Sequence, residues 1–433
     1  YAQNQWHYLP NNGFHKGYSF NDSAYRIEDV YFTSRNTGFA VTTTNRLLKT
    51  TDGGDNWAIK NDTLDFAGFR SIEFLDDAVT GIAGSLNSTG KVFRTTDRGE
   101  TWLNISASIT DTTTTSSKRI CGLAHYGNNF YGVGWWGSDV AKFYKSTDKG
   151  VTWQTKYMDT NLATGLVEAW FVSADTGFVA GTRDNAVMPP ASVILKTTDG
   201  GSTWTEVFSD TVLAGYVWKL QFVNKDVAVG AVQNLFFRDS VNMVYSKDGG
   251  NSWQVLAVGK RQPTINFGGG TQACGFATPA KGWVGGYYDG IFETADSGKT
   301  WTHLQFGYDF NRIFVIDSTL VYAGGHMPYR YGSKPTNIRQ EPMGSRAPHL
   351  LYPVSPNPGK GLIRIEFELY AETNVVIKVV NIDSRKVYHV ANTHLDKGKY
   401  EYRWDGSSAP AGNYFVWLGN DAIPLTQKFV LLK

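Results

Sequence analysis

The chain has 433 residues, 41 basic against 39 acidic side chains, a formal net charge of +2 and only 18% charged residues. That balance gives no general attraction to nucleic acid or to an anionic membrane, and no run approaches the roughly 20 apolar residues of a spanning helix. Aromatic residues (14%) and glycine (46) are abundant instead, a composition that fits a β-propeller when it recurs per repeat.

The chain opens Tyr1-Ala2-Gln3-Asn4, without a basic-then-apolar leader. Either the protein is not exported or a signal peptide has been removed. Asn4-Gln5-Trp6-His7-Tyr8-Leu9-Pro10 reads as the tail of a repeat whose beginning is missing, like Asn56-Trp57-Ala58-Ile59-Lys60 and Thr300-Trp301-Thr302-His303-Leu304. Then come an apolar strand, Glu28 to Phe32, a Gly-led strand, Gly38 to Val41, and a third strand, Arg46 to Lys49. The third runs into Thr50-Thr51-Asp52-Gly53-Gly54-Asp55-Asn56-Trp57. That octet returns at Thr95 to Trp102, Ser146 to Trp153, Thr197 to Trp204, Ser246 to Trp253 and Thr294 to Trp301. Its aspartates are Asp52, Asp97, Asp148, Asp199, Asp248 and Asp296, steps of 45, 51, 51, 49 and 48. A period in this range marks a propeller or another repeat array, and four short alternating strands per unit make one blade.

Fourth strands starting at Trp6, Trp57, Trp102, Trp153, Trp204, Trp253 and Trp301 number seven, and so do the first strands. The last unit lacks an Asp motif and a fourth strand, which the N-terminal strand at Trp6 supplies. The expectation for residues 1–332 is thus a seven-bladed β-propeller closed by its N-terminal strand, with no unpaired terminal blade edge. Residues 333–349, rich in Pro and without periodicity, read as a linker. Residues 350–433 alternate again in several short strands and read as a small immunoglobulin-like β-sandwich, so the chain is all-β.

The recurring Asp motif offers six carboxylates, yet each part of it is a device of the fold. An Asp in a tight turn accepts backbone N–H groups two residues on, the Gly permits a left-handed backbone, and the Trp buries a large surface. One carboxylate per loop falls short of the about six to eight oxygens Ca²⁺ takes, so no metal and no cofactor are expected. Cys121 and Cys274 make no disulfide framework and read as small buried core residues, with one bridge left open.

These motifs match the Asp-box of the sialidase-like propellers. The wider unit from Asp29 to Gly54 resembles the photosystem II assembly-factor family. A sialidase would need an arginine triad, a Tyr-Glu pair and an Asp acid/base; Tyr25-Arg26-Ile27-Glu28 begins like that family's Arg motif but lacks its Pro. Xyloglucanase-like enzymes use two propellers where this chain has one. A glycosidase needs two carboxyl groups roughly 5–10 Å apart, and Glu28, Asp29 and Glu168 are candidates to approach the channel.

Propeller ligands usually meet the face carrying the loops between strands two and three. Those loops hold Trp135, Trp136, Arg183, Phe236, Phe237, Arg238, Tyr287, Tyr288, Tyr329 and Arg330, residue types suited to stacking and bidentate bonding of a glycan or protein. The alternative is that these aromatics pack the loops onto the blades.

The C-terminal stretch, through Ser355-Pro356-Asn357-Pro358, Ala411-Gly412-Asn413-Tyr414 and the terminal Gln427 to Lys433, resembles the sorting domain of type IX secretion cargo in Bacteroidetes. The resemblance implies export through the periplasm and recognition by the outer-membrane translocon and its shuttle. Release or attachment at the cell surface follows. The overall expectation is a secreted or surface-bound monomer that binds a glycan or protein, with a sialidase-like or polysaccharide-degrading hydrolase, or an envelope-complex assembly factor, as alternatives.

Overall fold

The computed structural model describes residues 4–9, 26–60, 68–86, 90–110, 118–135, 140–184, 190–234, 240–260, 270–286, 290–304, 306–307, 309–333, 350–352, 354–369, 373–381, 387–419 and 425–433. They fall into two compact units, 4–333 and 350–433.

Among the described residues the first unit is seven antiparallel sheets. Their inner strands are Ile27–Phe32, Phe69–Phe74, Gly122–Tyr126, Gly165–Phe171, Gly215–Phe222, Thr271–Phe276 and Arg312–Asp317, here blades one to seven. Each inner strand packs against those of its two neighbours, and blade seven's against blade one's, so the ring closes. Gln5–Tyr8 is the outer strand of blade seven, antiparallel to Pro328–Gly332 with Trp6 opposite Tyr331. Six sheets have four strands; in blade three Ile109–Thr110 adds a fifth, parallel to Trp153–Tyr157.

The glycine that opens four of the second strands has a packing reason. A β-carbon on Gly38 would lie 2.4 Å from the Phe32 ring, and Gly81, Gly177 and Gly282 stand likewise against Phe74, Phe171 and Phe276. The inner strands slip register at Glu28, Arg70, Val167, Trp218 and Gln272. Such bulges re-aim side chains, and here they deliver polar groups to the bore.

The Asp motif forms a closed knot, with one difference from the expected turn. The hydroxyl of Thr50 donates to Asp52 Oδ1 at 2.8 Å and accepts the Gly54 N–H at 2.9 Å. The carboxylate accepts the N–H four residues on, not two, as Thr152 N to Asp148 Oδ1 at 2.9 Å shows. The side chain at that fourth position also bonds it: Thr101, Thr152, Thr203, Ser252 and Thr300 each donate a hydroxyl at 2.6 Å, and Asn56 an amide at 2.8 Å. Burial would raise the Asp97 carboxyl, but the hydrogen bonds from Thr101 and Thr95 outweigh it and hold it at about 2. The motif glycine presses on the preceding blade: a β-carbon on Gly99, whose φ is +74°, would lie 2.3 Å from Phe39.

The second unit is a three-stranded and a five-stranded sheet. Its strands are longer than expected, eight residues in Leu362–Leu369 and nine in Thr373–Asn381. Their alternation buries Ile363, Ile365, Phe367, Val375, Ile377 and Val379 in one core with Trp404, Tyr414 and Phe429.

Asp148→Ala removes the acceptor of both Thr152 bonds and is expected to destabilise the ring by about 1–3 kcal/mol. Asp148→Asn, which keeps one oxygen, is expected to lose less. Thermal denaturation of the two variants checks this.

Candidate functional site

Antiparallel connection puts the starts of the inner strands, and the loops between strands two and three, at one end of the ring. The Asp motifs, which follow the third strands, lie at the other. The bore between these ends carries three layers of side chains.

At the first mouth a bridge of rings and charges crosses from blade to blade. Half-buried Trp135 lies 6.0 Å from Tyr216, Tyr216 lies 5.1 Å from Trp218, and the Arg70 guanidinium sits 5.0 Å over Trp218. Arg70 pairs with buried Glu28, which also takes Arg26 at 2.9 Å; Arg26 reaches Gln272 at 3.4 Å. Trp218 donates its indole N–H to Gln233. Beside this bridge, Asp309 Oδ1, Asn311 Oδ1 and Thr271 Oγ1 are buried with no hydrogen-bond partner among the described residues. Burial pushes the Asp309 carboxyl up to about 6, against the pull of Arg26.

The second layer is ionic. Lys219 Nζ meets Glu168 at 2.8 Å, Arg312 meets the same carboxylate at 3.4 Å, and Arg312 Nε lies 3.4 Å from Asp29. Asp29 also accepts the Val30 and Ile72 N–H groups at 3.0 and 3.2 Å. Glu168 is 1% exposed and Lys219 and Asp29 5% each, so two cations and two carboxylates balance in a buried layer.

Beyond it, toward the Asp-motif end, lies a cavity of about 230 Å³. Tyr31, Trp170 and Phe314 line it, with Glu73, His125 and Arg312. His125 Nδ1 lies 2.8 Å from Glu73 and Nε2 3.1 Å from Asp76. Burial alone would lower the imidazole, but these two carboxylates raise it to about 9.

The residues expected to bind a ligand separate under this geometry. Trp135 stands in the first-mouth bridge. Arg183 is tied within blade four, to Glu206, to Asn161 O at 3.1 Å and to Ser209 Oγ at 3.0 Å. Tyr329 and Arg330 are corrections. Tyr329 is fully buried among Tyr8, Phe306 and Phe310, and Arg330 lies against Gly53 O at 3.3 Å and Asp55 at 3.8 Å. Both are spent on joining blade seven to its neighbours. Trp136, Phe236, Phe237, Arg238, Tyr287 and Tyr288 lie outside the described residues, as does 334–349 of the linker. Arg70, Tyr216, Trp218 and Asp309 were missed. For Arg70 and Trp218 the signal is a bulged inner strand, visible only as an extra residue in the alternation; Tyr216 and Asp309 carry no such signal.

Both cysteines are free and buried. Among the described residues no group of three or more His, Cys, Asp or Glu side chains is placed to hold a metal ion, and no helix is long and apolar enough to cross a membrane.

Family models match three parts of the chain: a BNR repeat-like domain over 78–267, a secretion system C-terminal sorting domain over 353–432, and the photosynthesis system II assembly factor YCF48 over 21–112. Among curated proteins the chain has no match. Among solved structures it is similar to YCF48 bound to D1 peptide, at 18% identity over 77% of this chain and 96% of that one, TM-score 0.54. YCF48 from Cyanidioschyzon merolae is similar at 14% identity over 77% and 99%, TM-score 0.53. The GH74 xyloglucanase of Xanthomonas campestris is similar at 12% identity over 98% of this chain and 75% of that one, TM-score 0.58. The chain thus carries BNR-type repeats in its propeller and a C-terminal secretion-system sorting domain.

The clamp on His125 predicts an alkaline limit. Its pKa is raised above the unfolded value of about 6.5, so its stabilisation is fully present below that pH and is lost as pH rises through about 9. Denaturant unfolding between pH 6 and 10 is expected to show this loss, and His125→Gln to flatten it.

Proposed function

We propose that this propeller is an exported binding protein that holds an extended protein segment at the mouth where its inner strands begin. Residues 350–433 take it through type IX secretion to the outside of the cell.

The observation that carries the reading is the bridge Trp135–Tyr216–Trp218–Arg70 across that mouth. Aromatic and Arg side chains are the usual anchors of protein recognition, because they bury much area at little entropic cost. The unpartnered acceptors on Asp309, Asn311 and Thr271 beside it suit main-chain N–H donors. Arg26 and Arg70 against Glu28 and Asp309 give the mouth both signs of charge. The similar YCF48 propeller was solved with D1 peptide bound.

Hydrolysis is the weaker reading. Glu28, Asp29, Glu73 and Glu168 are each paired to Arg, Lys or His, which leaves none of them poised as a nucleophile or base. Asp309 has the raised pKa of a general acid but no described carboxylate beside it to complete the pair.

Trp135→Ala combined with Tyr216→Ala is expected to weaken retention of the full chain on an array of extended peptides at least tenfold, with the melting temperature nearly unmoved. Unchanged retention counts against the site. Deleting residues 350–433 is expected to leave the propeller within the cell envelope, read by fractionation of a type IX-competent host; normal delivery of the truncated chain contradicts the export route.

A further inference from the structure

The cavity at the opposite end of the bore has no part in peptide binding at the first mouth, since the ionic layer of Asp29, Glu168, Lys219 and Arg312 lies between them. At about 230 Å³ it has room for seven or eight waters at about 30 Å³ each, the bulk of one sugar ring or one large side chain. It is blind, with the ion layer as its floor. Tyr31 and Phe314, 4.9 Å apart, stand on blades one and seven, and Trp170 stands on blade four, on the far side of the ring.

Most polar groups of this cavity are spent. Gln221 donates to Phe276 O at 3.0 Å and accepts the Phe276 N–H at 2.6 Å. Tyr31 donates to Phe74 O at 3.0 Å, and both nitrogens of His125 are taken. Among the described residues Oε2 of Glu73, Nη2 of Arg312 and the indole N–H of Trp170 make no hydrogen bond, and Nε of Arg312 makes none either, though it lies 3.4 Å from Asp29. The cavity therefore offers one strong acceptor, two donors and planar rings on two sides.

Charge selects the ligand. Glu73 is paired with His125, whose other partner Asp76 is solvent-exposed and screened, and the floor balances itself, so a net charge brought into this enclosed space would find no unscreened countercharge. A free carboxylate seeks a two-pronged guanidinium, and Arg312 has one prong left; an ammonium seeks three acceptors, and Glu73 supplies one. A hydroxyl needs a single bond of either sense. Its carrier needs a flat apolar face for the rings.

We propose that this pocket binds one neutral sugar residue in pyranose form, stacked on Trp170 or on Tyr31 and Phe314, with its hydroxyls bonded to Glu73 and Arg312. It is a second site, distinct from the peptide-binding mouth.

Titration calorimetry of the full chain against the methyl glycosides of glucose, galactose, mannose, xylose, fucose and N-acetylglucosamine tests it, with glycine, glutamine and lysine as the charged arm. At least one glycoside is expected to bind saturably. Trp170→Ala, at a half-exposed position, is expected to weaken that binding at least tenfold. Glu73→Gln is expected to do the same, and where it fails to fold Trp170→Ala carries the test. Tyr216→Ala, at the other mouth, is expected to leave it unchanged. Absence of binding by every glycoside overturns the proposal. So does tighter binding of an amino acid, equal binding by the Trp170→Ala variant, or loss in Tyr216→Ala. Loss of peptide retention with sugar binding intact, or the reverse, shows which of the two sites has failed.

Discussion

The bore of this ring is held by charge rather than by packing alone. Arg312 of blade seven reaches Asp29 of blade one and Glu168 of blade four, and Glu168 reaches Lys219 of blade five. A buried balanced set of this kind adds little net stability, but removing one member costs about 3–5 kcal/mol because it strands its partner. Its consequence is geometric. It joins four blades at the axis and divides the bore into two spaces. The first mouth is broad, aromatic and of mixed charge. The second is a small blind pocket with a neutral floor.

The perimeter is built by a different device. Each Asp motif ties a hydroxyl, a carboxylate and three backbone groups into one turn, and its glycine lets that turn close on the blade before it. The carboxylates that looked reactive in number are consumed within two to four residues of themselves. That leaves the bore as the place where inner-strand bulges from different blades bring unlike charges together.

The repeat arithmetic was the legible part. The spacing of Asp52 and its counterparts, with the orphan Trp6 strand, led directly to the sheets and their closure, because each repeat is an independent local pattern. The sorting domain was equally plain from its terminal strands. The site was not. Tyr329 and Arg330 look in sequence like loop residues available to a ligand, but their strand turns them against Tyr8 and the Gly53 turn. Nothing local in the sequence marks Trp218 or the aim of Arg70, yet a one-residue bulge turns both across the bore. Partners such as Glu168 and Arg312 are 144 residues apart, and no local pattern pairs them. Sequence periodicity reports which face a residue takes within a blade; it is blind to what meets it from another.

The central proposal is that this ring binds rather than cleaves, because the inner-strand carboxylates Glu28, Asp29, Glu73 and Glu168 are each already paired with a cation. Turnover of a broad panel of chromogenic glycosides and plant and host oligosaccharides by the full secreted chain, between pH 4 and 8, tests it most directly. No turnover above the uncatalysed rate is the predicted result. Turnover that disappears in Asp309→Asn or Glu168→Gln, with the fold intact, would contradict it.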